Sequence, residues 1–170
     1  SVIAAAYRAK VIYLLDQPLN WDKNHTIVQK SYSNCIYYCI DDLVADQLDT
    51  LKKKAEEIFE SLERPEEILE IKYEGVILGP SIYDSIIKHK QVSVWSLNEK
   101  VYSKILEGLK SFEATKKLTK LYDVRAGMFA HKTTSFQGPA VRYLLSKSIM
   151  SYSNMGGTKA LIRYNKLNHP

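Results

Sequence analysis

Residues 26–40 read Thr-Ile-Val-Gln-Lys-Ser-Tyr-Ser-Asn-Cys-Ile-Tyr-Tyr-Cys-Ile, and this stretch decides the fold class. Two runs with many β-branched and aromatic residues, Thr26–Lys30 and Asn34–Ile40, are separated by the short polar connector Ser31-Tyr32-Ser33. Two such runs with a short polar connector predict an antiparallel β-hairpin. The chain is therefore not expected to be purely helical.

The segments on both sides of this hairpin predict helices. Val2 to Leu15 contains neither Gly nor Pro, and the predicted helix stops before Pro18. Leu43 to Leu62 carries apolar residues at steps of three and four, which is typical of one buried helix face. Its lysines and glutamates, Lys52–Lys54 and Glu56–Glu57, fall on the opposite side.

The second half of the chain continues the mixed pattern. Residues 68–78 predict a strand or a loop with strand character, broken by Gly79-Pro80. Ser96 to Glu99 has the spacing of a capping box, so we expect a helix to start there. An apolar stripe follows on that helix, formed by Val101, Ile105, Leu109 and Phe112. Three further helices are predicted, at Thr119 to Phe129, Ala140 to Met150 and Thr158 to Tyr164. The fold class is thus α+β, mainly helical with a small antiparallel β-sheet or hairpin.

The length of 170 residues fits a single domain spanning residues 1–170. Its first residue is Ser rather than Met, as expected of a piece cut from a longer chain. No apolar run is long enough for a membrane span, and no signal-peptide pattern opens the chain, so we expect an intracellular protein with no membrane partner. Cys35 and Cys39 would face the same side of a strand without bridging easily, which favours a reducing compartment.

Charge is divided unevenly along the chain. Residues 1–85 hold nine Lys/Arg and fifteen Asp/Glu, a net charge of −6. Residues 86–170 hold the remaining fifteen (24 − 9) and four (19 − 15), a net charge of +11. Because Lys and Arg that neutralise phosphates release condensed counterions, this basic half predicts a nucleic-acid partner. The alternative is a basic surface that is merely solvated.

Motifs for metal or cofactor binding are missing from the sequence. It contains no Gly-rich phosphate loop and no Cys/His quartet, and its four histidines are scattered without ligand spacing. We therefore expect neither a metal nor a cofactor.

Four side chains stand at positions that suggest phosphate chemistry. Arg8 lies inside an otherwise apolar predicted helix, Lys30 lies at the tip of the hairpin, Arg125 opens a predicted helix, and Tyr164 lies on the last one. A guanidinium in an apolar segment needs a carboxylate, solvent or an anion. Each also has a purely structural interpretation: a salt bridge for the arginines, a turn for the lysine, and a core edge for the tyrosine.

Taken in order, these residues resemble the tyrosine recombinase (integrase) family. The segment Ala-Tyr-Arg-Ala-Lys-Val-Ile-Tyr-Leu around Arg8 is similar to the family's first-arginine motif, although Val11 replaces an acidic residue. Tyr122-Asp123-Val124-Arg125 stands where the family has His-x-x-Arg, and Lys147 falls near the slot of a later histidine or tryptophan. The resemblance extends over nearly the whole chain as an arrangement of elements.

This resemblance implies a metal-free DNA cleavage and rejoining reaction. Tyr164 would attack the scissile phosphate to give a 3′-phosphotyrosine, with Tyr152 as the rival nucleophile. Arg8 and Arg125 would bind the non-bridging oxygens, and Lys30 would protonate the leaving oxygen. Tyr122 and Lys147 would be auxiliary donors, and the protein would self-associate on DNA. The residues expected to contact the DNA backbone are Lys116, Lys117, Lys120, Lys132, Arg142 and Lys159.

Two other functions fit the same charge pattern. A non-catalytic nucleic-acid-binding or nucleoprotein module would use the basic half without any of the catalytic residues. A protein-interaction domain would dock an acidic partner on the same face. A covalent protein–DNA adduct would distinguish DNA cleavage and rejoining from both alternatives. Of those two, only the nucleic-acid-binding module is expected to bind DNA at low salt.

Overall fold

A computed structural model of the chain describes residues 9–15, 35–87, 93–94, 96–130, 133–153 and 162–164. The chain divides into two compact units, residues 1–46 and residues 47–170. We describe each unit by itself.

The first unit contains a two-stranded parallel sheet. Strand β1 (Val11–Leu15) pairs with β2 (Cys35–Cys39) in parallel, with Val11 opposite Cys35 and Leu15 opposite Cys39. The rings of Tyr13 and Tyr37, which face each other in this register, stack with centroids 5.2 Å apart. Such cross-strand aromatic pairs stabilise a sheet beyond their buried area. A one-turn helix α1 (Ile40–Val44) follows β2.

Two predictions from the sequence can be compared with the structure of this unit. The helix predicted from Val2 to Leu15 is wrong for residues 11–15, because a short run of apolar residues fits a buried strand as well as a helix. The strand predicted at Asn34–Ile40 is confirmed at Cys35–Cys39, but its observed partner is parallel β1. The predicted hairpin partner, Thr26–Lys30, lies outside the described residues.

The second unit begins with the amphipathic helix predicted from the sequence. A 3₁₀ turn (Ala45–Gln47) precedes helix α2 (Leu48–Glu60), which buries Leu51 and Ala55 and exposes its lysines. The predicted helix from Leu43 to Leu62 is therefore confirmed over residues 48–60.

A compact turn structure follows α2. A 3₁₀ segment (Pro65–Glu70) leads into the antiparallel strands β3 (Lys72–Tyr73) and β4 (Val76–Ile77). Glu74 and Gly75 connect them with φ of 46° and 77°. Two consecutive residues in the left-handed region make the type of hairpin turn whose twist matches the strands. The strand character predicted for residues 68–78 is thus limited to residues 72–77.

The predicted break at Gly79-Pro80 is instead the start of helix α3 (Gly79–Ile87). Proline is tolerated in the first helical turn because the N–H groups there have no partner within the helix. A Cβ atom on Gly79 would lie 2.2 Å from the carbonyl oxygen of Ile68, so the close approach of these two segments requires glycine.

The central element of the second unit is the long helix α4 (Glu99–Leu121). Its whole predicted stripe is buried, at Val101, Ile105, Leu109 and Phe112. Helices α2 and α3 pack against it. The capping box predicted at Ser96 is not the observed cap: the side chain of Asn98 accepts a hydrogen bond from the backbone N–H of Lys100 at 3.0 Å.

The last described elements are one helix and a three-stranded sheet. Helix α5 (Gly138–Ser146) also packs on α4, and lies in sequence between strands β5 (Ala126–Phe129) and β6 (Met150–Ser153). The strand order is β5-β6-β7, with β5 and β6 parallel and β7 (Ile162–Tyr164) antiparallel to β6.

Three helix predictions need correction here. The helix predicted at Thr119–Phe129 is wrong, because α4 continues to Leu121 and residues 126–129 form β5. The helix predicted at Ala140–Met150 is confirmed but ends at Ser146. At the predicted helix Thr158–Tyr164, residues 162–164 form a strand. In each case the segment that was predicted to be helical contains residues that pair with a strand distant in sequence. The local pattern of apolar and polar residues does not reveal such pairing.

Helix α5 covers one face of this sheet, which we call the inner face. Tyr164 forms a buried cluster there with Val141 and Leu145 of α5. A Cβ atom on Gly127 of β5 would lie 2.5 Å from Cδ1 of Leu144, so glycine allows the helix to approach. The mixed helix-and-strand character predicted from the sequence is confirmed, and the sheets are small.

Candidate functional site

A cleft of about 430 Å³ opens where three segments of the second unit meet. These segments are the last turn of α4, the extended connection to β5, and the turn between α5 and β6. The residues that line it are Thr119, Tyr122, Asp123, Val124, Arg125, Ser148, Ile149 and Met150. This cleft, called the α4–β6 cleft below, brings together two residues selected from the sequence, Tyr122 and Arg125.

The way α4 ends shapes one wall of the cleft. Tyr122 leaves the helical conformation with φ −136° and ψ 149°, while its backbone N–H still bonds to the carbonyl of Leu118 at 2.9 Å. The backbone N–H of Val124 then bonds to the carbonyl of Tyr122 at 2.9 Å. This tight extended turn directs residues 122–125 along the cleft and into β5.

The way α5 ends shapes the opposite wall. The N–H of Ser148 bonds to the carbonyl of Leu145 at 3.0 Å, and the N–H of Ile149 bonds to that of Leu144 at 2.9 Å. These two bonds form a Schellman motif, in which the residue after the helix adopts a left-handed conformation. Ser148 holds that conformation with φ 60°, at a position where glycine is most common.

One cationic side chain, Arg125, lines the cleft. Two exposed lysines adjoin lining residues in the sequence: Lys120 follows Thr119, and Lys147 precedes Ser148. Arg125 forms an ion pair with Asp123 at 2.5 Å, but their side chains are 83% and 73% exposed. Because exposed ion pairs contribute at most about 1 kcal/mol, a phosphate group could replace Asp123 at little cost.

The C-terminal part of the sequence, which supplies every lining residue of the cleft, is strongly basic. After Thr115 the chain has ten Lys/Arg and one acidic residue, Asp123, a net charge of +9 (10 − 1). A surface built from this part of the chain attracts polyanions through its summed field.

A shared tyrosine links Lys147 to the wall of the cleft. The ammonium of Lys147 lies 5.8 Å from the ring centroid of Tyr143, within the range of a cation–π contact. The Tyr143 hydroxyl is 3.0 Å from that of Thr119, and its ring packs edge-on against Phe112 at 4.9 Å. The position of Lys147 is therefore connected to the core of the unit.

The face of the three-stranded sheet opposite α5, called the outer face, continues from the cleft. Met150 lines the cleft and also lies on this face. Met128, Tyr152 and Arg163 are direct neighbours across the three strands. Met128 is 58% exposed and Met150 is 42% exposed, whereas Ser151 and Ser153 are buried on the inner side. The outer face therefore presents apolar, aromatic and cationic groups together.

The structure separates the six catalytic residues predicted from the sequence. Arg8 and Lys30 lie outside the described residues. Tyr122 and Arg125 line the α4–β6 cleft, and Lys147 precedes the lining residue Ser148 in the sequence. Arg125 precedes β5 rather than opening a helix, which corrects its predicted setting.

Tyr164 is not on a helix and does not line the cleft. It is 4% exposed on β7, within the cluster formed with Val141 and Leu145. Tyr152, the rival nucleophile, is instead half-buried on the outer face, and its hydroxyl donates to Sδ of Met150 at 3.3 Å. Because Met150 lines the cleft, this hydrogen bond connects Tyr152 to a lining residue.

Two of the predicted DNA-contacting residues have structural partners. Lys116 binds the carboxylates of Glu74 and Glu113. Burial acts to lower the pKa of Lys116, but its hydrogen bonds to Glu74 and Glu113 outweigh that effect and raise it. Burial lowers the pKa of the half-buried Arg142, against the attraction of Asp84.

The remaining predicted contacts are distributed around the cleft or cannot be placed. Lys120 is exposed and Lys117 is half-buried on the last turns of α4. Lys132 and Lys159 lie outside the described residues. Sequence reasoning did not select Ser148, Met150 or Arg163. The alternation Met-Ser-Tyr-Ser at residues 150–153 is a period-two signal that could have indicated the strand.

The described residues contain neither a cluster of metal ligands nor a membrane-spanning helix. Within the part of the chain that the structure describes, no group of three or more His, Cys, Asp or Glu residues is placed to hold a metal ion. None of the helices in that same part is both long enough and apolar enough to cross a membrane.

Comparison with known proteins leaves the family of this chain open. No protein-family model matches it, and searches of curated proteins and of solved structures find no similar protein.

Proposed function

We propose that this protein binds nucleic acid, DNA in the first instance, through the α4–β6 cleft and the outer face of the adjoining sheet. The observation that carries the proposal is that Arg125 lines the cleft, in a stretch with a single acidic residue where Lys120 and Lys147 are exposed beside lining residues in the sequence. Lys and Arg at a concave surface match the phosphate backbone, and Arg can bind a phosphate through two hydrogen bonds.

Salt dependence measures this interaction directly. Fluorescence anisotropy of a labelled oligonucleotide should show an affinity that falls steeply between about 50 and 200 mM salt, because each neutralised phosphate releases a counterion. Replacing Lys120, Arg125 and Lys147 together with Gln should weaken binding at low salt by at least about tenfold. The slope of log affinity against log salt should fall by roughly two units.

A matched control removes the same charge elsewhere. Lys52, Lys53 and Lys54 lie on the exposed side of α2, where Lys52 and Lys54 pair with Asp49 and Glu57. Their triple replacement with Gln should leave the affinity within about twofold, because they lie outside the cleft. Equal losses in both variants would mean that binding depends only on net charge, and no binding by the wild type at low salt would refute the proposed function.

A second proposal is that the protein cleaves and rejoins DNA through a phosphotyrosine, as the resemblance to tyrosine recombinases implies. The observation that favours it is that Tyr122 and Arg125 share one cleft with Met150, the hydrogen-bond partner of Tyr152. Tyr164 would have to leave its buried cluster to attack a phosphate, so Tyr152 is the better-supported nucleophile of the two.

Trapping on nicked DNA tests this second proposal. A covalent adduct with the wild type that disappears in Tyr152→Phe and persists in Tyr164→Phe would support cleavage with Tyr152 as the nucleophile. Loss of the adduct only in Tyr164→Phe would return the role to Tyr164. No adduct with the wild type would leave non-covalent binding as the function.

A further inference from the structure

We infer that the nucleic acid bound by this protein is single-stranded, and that one unpaired base stacks on Tyr152 at the centre of the outer face. This inference rests on the proposed function, because it names the class of nucleic acid bound there. The feature that carries it is the row Met128–Tyr152–Arg163, whose members are paired across three strands.

The geometry of the row suits a flat ligand. Neighbouring strands in a sheet lie about 4.8 Å apart, so the three residues span about 10 Å from Met128 to Arg163. Tyr152 occupies the middle strand, where it is flanked on both sides by a direct cross-strand neighbour. The row thus offers a platform about as wide as a nucleobase with its sugar.

The outer face of the sheet exposes its large side chains, whereas α5 covers the inner face. Large apolar side chains at Met128 and Met150 are about half exposed, while Tyr164 and the serines of β6 are buried beneath. Among the described elements, α5 packs on the inner face, as the contact between Gly127 and Leu144 indicates. The outer face therefore sets two exposed methionines beside the Tyr152 ring.

The chemistry of the row favours nucleic acid as that partner. A tyrosine ring stacks on any base, and a guanidinium can either stack on a base or bind its phosphate. Methionine adds a polarizable contact that adapts to different shapes. Arg163 is the cross-strand neighbour of Tyr152, and Arg125 lines the cleft together with Met150, so the row and the cleft each offer a guanidinium that can bind a phosphate.

The same chemistry favours a single strand over a duplex. In a duplex each base is stacked between its neighbours, so its faces are closed to a side chain. In a single strand the bases can be splayed onto a protein surface. Among the described residues, no helix packs on the outer face, whereas duplex sequence is usually read by an element placed in the major groove.

The test compares one sequence in two forms. A labelled oligonucleotide of about twelve nucleotides, single-stranded or annealed to its complement, is titrated with the full chain at low salt. We expect the single strand to bind at least about tenfold more tightly. Tyr152→Ala should weaken single-strand binding about 5- to 100-fold, the range typical of losing one stacked base, and leave duplex binding within twofold.

Tyr152→Phe is the matched control, because it keeps the ring and removes only the hydroxyl. It should retain single-strand affinity within about threefold. A 2-aminopurine placed in the strand gives a second readout, since its fluorescence should be quenched by the wild type and by Tyr152→Phe but not by Tyr152→Ala. Thermal unfolding of each variant establishes that the proteins compared are folded.

The outcomes separate this inference from the proposed function. Equal binding of both forms, with no effect of Tyr152→Ala, would overturn the inference and leave nucleic-acid binding standing. No binding of either form would overturn both. A Tyr152→Ala variant with unchanged affinity but an altered oligomeric state in light scattering would overturn the inference by making the outer face a contact between copies of the chain.

Discussion

The hydroxyls of Thr119 and Tyr143 lie 3.0 Å apart and join the end of α4 to α5. Thr119 lines the α4–β6 cleft, and the Tyr143 ring supports Lys147 on its other side. This hydrogen bond between two helices therefore connects a wall of the cleft with the residue that contacts a cationic side chain.

Removing this hydrogen bond should destabilise the fold modestly. Tyr143→Phe keeps the ring against Phe112 and should lower the free energy of unfolding by about 1 kcal/mol, the net value of a typical hydrogen bond. Thr119→Val should cost a similar amount, and the double variant should cost less than the sum. Urea denaturation of the four proteins measures the coupling. Fully additive losses would show that the two hydroxyls do not interact.

Alkaline pH should destabilise the contact between β3 and α4. The Tyr73 hydroxyl donates to the Glu113 carboxylate at 3.0 Å, and burial, followed by the negative charge of Glu113, raises the pKa of Tyr73. A raised folded-state pKa contributes stability that is present below the ordinary value near 10 and is lost as the pH rises above it. The stability advantage of the wild type over Tyr73→Phe should therefore shrink above about pH 10. An advantage independent of pH from 8 to 11 would contradict this, as measured by urea denaturation.

Alanine substitutions should distinguish two buried glycines. Gly79→Ala places a Cβ atom 2.2 Å from a backbone oxygen of Ile68, which cannot move aside without shifting the chain. Gly108→Ala places one 3.4 Å from the side chain of Ile82, near ordinary contact. We expect a loss of about 3 kcal/mol or more for the first variant, at the upper end for overpacking. The second should change stability by less than about 1 kcal/mol, since better helix propensity offsets its tighter packing. Similar melting temperatures for both would refute the distinction.

Glycine should be preferred at position 148. Ser148 has φ 60° after α5, and the left-handed conformation costs a residue with a side chain about 1 kcal/mol. Ser148→Gly removes that cost, but glycine also makes the unfolded chain more flexible, which lowers stability. The net stabilisation should therefore be a few tenths of a kcal/mol up to about 1 kcal/mol. Ser146→Gly, inside the end of α5, is the control and should be destabilising. A loss of stability in Ser148→Gly would mean that the serine side chain makes a compensating interaction.

Neutralising Asp123 should strengthen nucleic-acid binding. It is the only acidic residue after Thr115 and pairs with Arg125 at the cleft. Asp123→Asn should tighten binding about 2- to 5-fold at low salt, in line with the weak energy of an exposed pair. Asp49→Asn removes an equivalent exposed carboxylate from α2 and should leave affinity unchanged. Unchanged binding in Asp123→Asn would argue that the cleft does not contact phosphate.

The long helices could be predicted from the sequence, whereas several short strands could not, namely those at residues 11–15, 126–129, 150–153 and 162–164. The stripe from Val101 to Phe112 repeats over several turns, so its period is unambiguous. Residues 11–15 are five in number and largely apolar, and both periods fit them. β5 and β7 are four and three residues long, and their identity depends on pairing with β6. Pairing of this kind is set by tertiary structure rather than by local propensity.

The candidate site shows the same division. Tyr122 and Arg125 lie three residues apart in one motif of the sequence. The prediction of that motif therefore identified two residues that line the same cleft. Tyr164 was selected for its place in the chain, but strand register turns it to the inner face, where it is buried. A shift of one residue in that register would have exposed it and buried Arg163. No pattern in the sequence determines the register of a strand of only three residues.

The parallel pairing of β5 and β6 has a consequence for the cooperativity of folding. Parallel neighbours need a crossover, and here the crossover contains α5, which packs on α4. Because the strands and both helices hold one another in place through contacts distant in sequence, we expect them to open as one cooperative unit. The proposed binding surface should therefore be absent from any partly folded state. A bound strand would then protect residues 47–170 against unfolding as a whole, and amide exchange in α4 and β6 should slow together when nucleic acid is added.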